Sequence, residues 1–241
     1  MKIYTLWIVF FAGSLAQEDL DNKVLVFPKE SSTSYVILKP AVIKTLDKLS
    51  VCVRSFTDLS RSYPIFSVSS QGKQKALIVV ITPSNTYNIH VFQETNIINT
   101  DASGLDWRHS CVTWDSTTGI LQLWVNGKLY PRTVSRKGSI YSEKTIMILG
   151  NEQHSYGGTG FTVSGSFKGE ISDVHVWDFV LSPDEVQRAL FNNRNLNGNI
   201  INWRSLNYEI IGEVVVQPKL QCGSLELKTY ALCYDEKSPA K

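Results

Sequence analysis

The chain is short of the features that would send it to a nucleic acid, a membrane interior or a hydrolase site. No run of Lys or Arg marks a basic arm, and a formal charge of +2 is too mild to attract a polyanion. After residue 15 no apolar stretch approaches the about 20 residues that cross a bilayer. No G-x-S-x-G elbow is present, and Gly157-Gly158-Thr159-Gly160 lacks the Lys-Ser/Thr of a phosphate-binding loop. No Asn-x-Ser/Thr acceptor occurs, so N-glycosylation is not expected. Patterns of helical period are almost missing too, which leaves β structure to form the core.

Material for that core is ample, because 43% of the residues are hydrophobic and 11% aromatic. Short apolar or alternating runs begin at Val24, Tyr35, Leu49, Ile65, Ala76 and Tyr87, separated by turn clusters such as Gln71-Gly72 and Thr82-Pro83-Ser84-Asn85. The most informative stretch is His109 to Gly127. In it two strands flank the turn formers Asp115 to Gly119, and Asn126-Gly127 predicts a tight hairpin because both residues accept positive φ. Leu121, Leu123 and Val125 alternate with Ile120, Gln122 and Trp124. Such a series predicts an all-β fold, a two-sheet antiparallel jelly-roll sandwich of the lectin-like kind. One short α-helix interrupts it: Ser182-Pro183-Asp184-Glu185 is a capping box, followed by Val186, Ala189 and Leu190 on one face, with Asn192-Asn193 as its end.

The first 16 residues read as a signal peptide, with Lys2 before the apolar run Ile3 to Leu15 and small residues at Ser14 and Ala16. Cleavage would leave Gln17 as the terminus of a secreted, extracellular protein. Secretion makes the cysteines, Cys52, Cys111, Cys222 and Cys233, readable as disulfides, and four cysteines allow three pairings.

His109, Cys111, Thr113, Trp114 and Ser116 also fill every specified position of His-x-Cys-x-Ser/Thr-Trp-x-Ser/Thr, the pentraxin signature. The chain resembles a short pentraxin. The likeness continues in Phe167 to Asp173, Trp177 to Glu185 and Asn202 to Glu209, and it covers residues 17–220 as one pentraxin domain. Residues 221–241 form a C-terminal extension beyond it. The resemblance implies that Cys52 pairs with Cys111, and that Cys111 and Trp114 build the sandwich core. Cys222 and Cys233 then either close a local loop or bridge to a neighbouring subunit.

By resemblance, function is multivalent recognition in innate immunity and the acute phase. A homopentamer would bind phosphorylated or carbohydrate groups on microbial or damaged-cell surfaces through calcium, and show its helix face to complement or Fc receptors. Calcium wants about six to eight oxygens, several from carboxylates. The family's Asp-Asn ligand pair falls on Gln74-Lys75, and its second ligand loop on Gly150 to Gly158. Glu152 and Gln153 remain as ligands by type, whereas an Asp has become His154, and Thr159 to Gly165 supplies no Asp, Glu or Gln. The positions that cradle the ligand's organic part fall on Val80 and His90, which removes aromatic support for a phosphocholine-type cation. A degenerate calcium site is therefore expected. Glu152, His154 and His90 are the residues from which a zinc site would be rebuilt. The other class of function that fits is a structural or scaffolding oligomer whose ligand site has decayed.

Enzymatic activity is not expected. A glycosidase needs two carboxylates about 5 to 10 Å apart, and the nearest pair, Glu170 and Asp173, has a spacing that puts them on opposite faces of a strand. His109 and His175 fall on strands and read as core or edge histidines.

Overall fold

The computed structural model describes residues 17–102, 106–157 and 160–220. The expected signal peptide, Cys222, Cys233 and the rest of the 221–241 extension, and Gly158 and Thr159 of the ligand loop lie outside the described residues.

The strands are β1 (Lys23–Phe27), β2 (Tyr35–Lys39), β3 (Lys48–Phe56), β4 (Tyr63–Ser70), β5 (Lys73–Ile81), β6 (Thr86–Val91), β7 (Glu94–Asn99), β8 (Arg108–Asp115), β9 (Ile120–Val125), β10 (Lys128–Leu129), β11 (Thr133–Val134), β12 (Thr145–Leu149), β13 (Gly169–Trp177), β14 (Asn207–Ile211) and β15 (Val215–Pro218). They form two antiparallel sheets. One has eight strands, in the order β10-β9-β8-β3-β13-β1-β15 with β11 also on β9; the other has seven, in the order β14-β2-β12-β4-β5-β6-β7. The two-sheet sandwich expected from the alternating runs is the fold observed.

Local chemistry explains the turns. Asn126 and Gly127 have φ of 49° and 80°, as a hairpin between β9 and β10 requires. The single α-helix, α1 (Pro183–Leu190), starts where its capping box predicts: Ser182 Oγ accepts from Glu185 N–H at 3.3 Å, and Ser182 N–H donates to Glu185 Oε2 at 2.7 Å. Asn192 follows the helix with φ 51°, which stops it. Among the described residues no helix is long and apolar enough to cross a membrane.

The main core lies between the sheets. Trp114, Phe66, Tyr87, Tyr141 and Phe167 are buried there, and Trp114 Nε1 donates to the Ser135 carbonyl at 2.9 Å. A second, smaller core sits on the outer face of the eight-stranded sheet, where Cys52, Cys111, Trp124, Trp177 and Leu181 receive Val186 of α1. Cys52 and Cys111 face each other across β3 and β8 and are joined as a disulfide. This corrects one expectation: Trp114 builds the inter-sheet core, but Cys111 does not. They are three positions apart on β8, and an odd step changes face.

His109 and His175 are both buried, as core histidines. His175 Nδ1 accepts from Gly198 N–H at 3.2 Å, and His109 packs 3.6 Å from Cys111 Sγ. Burial pushes their pKa values down to about 3 for His109 and about 4 for His175, with the positive charges of Arg54 and Arg204 respectively adding to the effect.

Candidate ligand-binding face

The outer face of the seven-stranded sheet gathers most of the residues singled out from the sequence. In β5, Leu77, Val79 and Ile81 belong to the inter-sheet core, so Ile78 and Val80 point outward. His90 pairs with Ile78 and with Thr95, which places these three in one row across the sheet. Val80, Asn88 and Ile97 form the next row.

Gln74 and Lys75 occupy a bulge. The β4–β5 register passes from Ser70 opposite Lys73 to Val68 opposite Leu77, leaving Gln74, Lys75 and Ala76 to face Ser69 alone. Lys75 has φ 44°, and its backbone is held from two sides: its N–H donates to the His154 carbonyl at 3.0 Å, and its carbonyl accepts from Gln93 N–H at 3.4 Å. Gln93 Nε2 also donates to Gln74 Oε1 at 3.0 Å. The bulge, the turn between β6 and β7, and the loop after β12 are thereby tied together.

That loop is anchored at both ends. Gly150, at φ 93°, has the Phe27 ring so close that a Cβ would lie 2.3 Å from it, so no side chain fits. Asn151 Nδ2 donates to the carbonyls of Ser31 and Ser34. Gln153 is fully buried: Oε1 accepts from Ser69 Oγ at 2.8 Å, while Nε2 donates to the carbonyls of Ser67 at 3.1 Å and Ile146 at 2.9 Å. At the far end Arg61 donates to the carbonyls of Val163, Ser164 and Ser166 and pairs with Glu30 at 2.9 Å.

Glu152 and His154 project from the loop side by side, with His154 Nε2 3.3 Å from Glu152 Oε2. Burial raises the Glu152 pKa, against the opposing pull of His154, Lys75 and Arg61. His90 Nδ1 bonds Thr95 Oγ1 at 2.9 Å, and burial, followed by the charges of Lys75 and His154, lowers its pKa to about 4. Gln74, Lys75, His90, Glu152 and His154 thus share one neighbourhood, with Val80 one row beyond. Gln153 is turned away from them.

As donors to calcium these residues do not fit. The set contains one carboxylate, one amide, two imidazoles and an ammonium, whereas calcium takes about six to eight oxygens. The Gln153 side chain is committed to Ser67, Ser69 and Ile146, and the His154 carbonyl to Lys75. A Cβ added at Gly165 would lie 3.6 Å from the Glu152 carboxyl carbon, so a side chain there would reach that carboxylate; glycine supplies no donor. Nor do Glu152, His154 and His90, the residues from which a zinc site would be rebuilt, come together as a three-ligand group. Among the described residues only Cys52, His109 and Cys111 bring three such ligand atoms close enough for one ion, and both cysteines are in the disulfide.

Glu170 and Asp173 do not make a catalytic pair either. Asp173 sits in a bulge of β13 with φ 50°, buried, with Arg54 Nε 3.1 Å away and Lys219 bonded to it.

Comparison with known proteins supplies the lineage. The Pentaxin family profile matches residues 23–218. The chain belongs to the pentraxin family. It is 48% identical over 238 residues to C-reactive protein of Xenopus laevis, covering 97% of this chain and 100% of that one. Identity to serum amyloid P-component of Mus musculus is 38% over 220 residues, covering 89% and 97%. The heptameric SAP-like pentraxin of Limulus polyphemus shares the fold, with a TM-score of 0.73 and 23% identity over 82% of this chain and 95% of its own. As a pentraxin, the chain is a recognition protein and not an enzyme.

Two residues of the pentraxin face were not found from sequence. Nothing in Leu59-Ser60-Arg61-Ser62 announces that Arg61 reaches a loop about a hundred positions later. Ile97 had a signal: it alternates with Asn96 and Ile98, which sets an isoleucine on the outward face beside Thr95 and Asn99.

Proposed function

We propose that this pentraxin is a secreted recognition protein of innate immunity. It captures phosphorylated or carbohydrate groups on microbial or damaged-cell surfaces with the outer face of its seven-stranded sheet, and it does so without the family's calcium site. The observation that carries the metal-free part is the bond from Lys75 N–H to the His154 carbonyl, which sets an ammonium-bearing residue beside Glu152, the half-buried carboxylate of the loop. A cation there repels calcium, and the Gln153 amide is buried and turned away.

The Limulus relative is named as a heptamer, and we take a closed ring, of five subunits by family resemblance, as the working assembly. Simultaneous engagement of a repetitive surface would raise weak single-site affinity by orders of magnitude. Helix α1 packs on the other sheet, so its exposed side would face effectors such as complement or Fc receptors while the ligand face is occupied.

The deciding experiment is capture of bacteria and of phospholipid vesicles by the purified mature protein, first with calcium and then with excess chelator. Equal capture in both supports the proposal. Capture abolished by chelator overturns the metal-free reading, and no capture in either overturns recognition in favour of a scaffolding oligomer.

A further inference from the structure

The alternation of β8 places Arg108, Ser110, Val112 and Trp114 on the face that looks between the sheets, where Val112 and Trp114 belong to the core. Ser110 satisfies its hydroxyl through Tyr87, whose own hydroxyl lies 2.6 Å away. Arg108 has no such match for its charge. It is half-buried, its Nη2 donates to Asn85 Oδ1 at 3.2 Å and to the Ala102 carbonyl at 3.1 Å, and no carboxylate among the described residues pairs with it. Neutral acceptors leave the guanidinium charge uncompensated, and drawing such a charge out of water is costly.

That guanidinium lines a cleft of about 170 Å³ at the end of the sandwich, together with Leu59, Tyr63, Thr82, Pro83 and Asn85. We infer that the cleft binds a free short-chain monocarboxylate of about four carbons, with its carboxylate on Arg108 and Tyr63 and its alkyl end on Leu59 and Pro83.

The charge of the ligand follows from the lining. The planar fork of an arginine matches a carboxylate through two parallel bonds. Tyr63 adds a hydroxyl that donates to no group among the described residues, on a ring packed 5.8 Å from Phe167 between centroids. The Arg108 charge opposes the burial that raises the Tyr63 pKa, so the two groups lie within each other's field. Asp58 also lines the cleft, 2.8 Å from Lys168 Nζ, and its negative charge disfavours a dianion such as phosphate more than a singly charged acid.

The size of the ligand follows from the volume. A cavity of about 150 Å³ holds benzene, and butyrate has as many non-hydrogen atoms. Asn85 is a positioning residue for this site. With φ 56°, it donates its N–H to the Thr82 carbonyl at 3.0 Å and accepts from Thr100 N–H at 3.2 Å, so its side-chain oxygen meets Arg108 from a fixed turn. The cleft is separate from the ligand face proposed above: Tyr63 pairs with Ile81, and from Lys75 to Ile81 along β5 is about 20 Å.

The test is calorimetric titration of the mature, assembled protein in metal-free buffer with butyrate, butyramide, inorganic phosphate and N-acetylalanine. Butyrate should bind at least tenfold more tightly than phosphate or than butyramide, which keeps the shape and lacks the charge. R108Q should weaken butyrate at least tenfold. R108K, which keeps the charge and loses the fork, and Y63F, which keeps the ring on Phe167 and loses only the hydroxyl, should each weaken it at least threefold. K75Q should leave it unchanged. Circular dichroism and assembly size check that each variant folds, and R108K with Y63F decides the matter if R108Q does not. Absence of saturable butyrate binding, or binding indifferent to both R108K and Y63F, overturns the site. Equal affinity for butyramide overturns recognition of the charge, and tighter phosphate overturns the monoanion. Tighter N-acetylalanine overturns the free acid in favour of a peptide end. Loss of butyrate in K75Q moves the binding to the proposed ligand face and overturns the cleft.

Discussion

Cys111 and Trp114 lie three positions apart on β8 and face opposite sides of the same sheet, Cys111 under α1 and Trp114 between the sheets. Their loss should therefore be felt in different places. The disulfide spans a sequence separation of 59 residues, so C52A/C111A should lower stability by about 4 kcal/mol on the loop-entropy model, with faster amide exchange concentrated in α1 and its underlying strands. W114A should cost about 3–5 kcal/mol and speed exchange in both sheets. Hydrogen exchange with denaturant melts distinguishes them.

The helix cap offers a local counterpart. S182A removes the acceptor for Glu185 N–H and should cost about 1 kcal/mol. Exchange should rise in residues 183–190 and stay unchanged in residues 150–157, since helix and loop cover different sheets.

Gln153 should prove structural. Q153L leaves Ser69 Oγ and the carbonyls of Ser67 and Ile146 without their partner, and unsatisfied buried groups cost about 1–3 kcal/mol each. Limited proteolysis should then cut the 150–166 loop at least several-fold faster than in the parent protein, with or without calcium.

These contrasts show how far the sequence could be read. Hairpin and helix cap were legible because their causes are local: positive φ suits Asn126-Gly127, and Ser182 with Glu185 satisfies its own backbone. The sandwich followed from many such strands. The side-chain destination of Gln153 was not legible, because whether an amide turns out to solvent or in toward Ser67 depends on another strand. Arg61 was invisible for the same reason. Cys111 was assigned to the wrong core by its company in the signature, although the alternation of β8 alone would have separated it from Trp114. The row that places Asn88 between Val80 and Ile97 depends on strand register.

Restoring oxygen donors should restore calcium affinity. The triple variant Q74D/K75N/H154D replaces an amide, an ammonium and an imidazole with two carboxylates and an amide around Glu152. Its calcium affinity should exceed that of the parent at least tenfold by calorimetry. An unchanged titration would mean that the bulge at Lys75, rather than ligand type, governs the site.

Acid should destabilise the protein through the buried His109 and His175 and the half-buried His90. His90, His109 and His175 have folded-state values of about 4, 3 and 4, below the about 6.5 of an unfolded chain. Between those values the unfolded state binds more protons, so stability is present in full above about pH 6.5 and declines as pH falls toward 4. Denaturant midpoints should drop between pH 7 and pH 4.5. H109N, which cannot take up that proton, should flatten the decline if the variant folds, and H90N at its more exposed site should flatten it less.

The guanidinium of Arg61 gives the proposed ligand face a particular kind of readiness. A loop fastened by three carbonyl contacts to an arginine is set as soon as the chain has folded, with no wait for a dissolved ion. The same fastening removes a means of letting go. Withdrawing a metal can slacken a loop that the metal holds, but no change in the surrounding minerals unties this one, so release of cargo would have to come from the ligand's own off-rate.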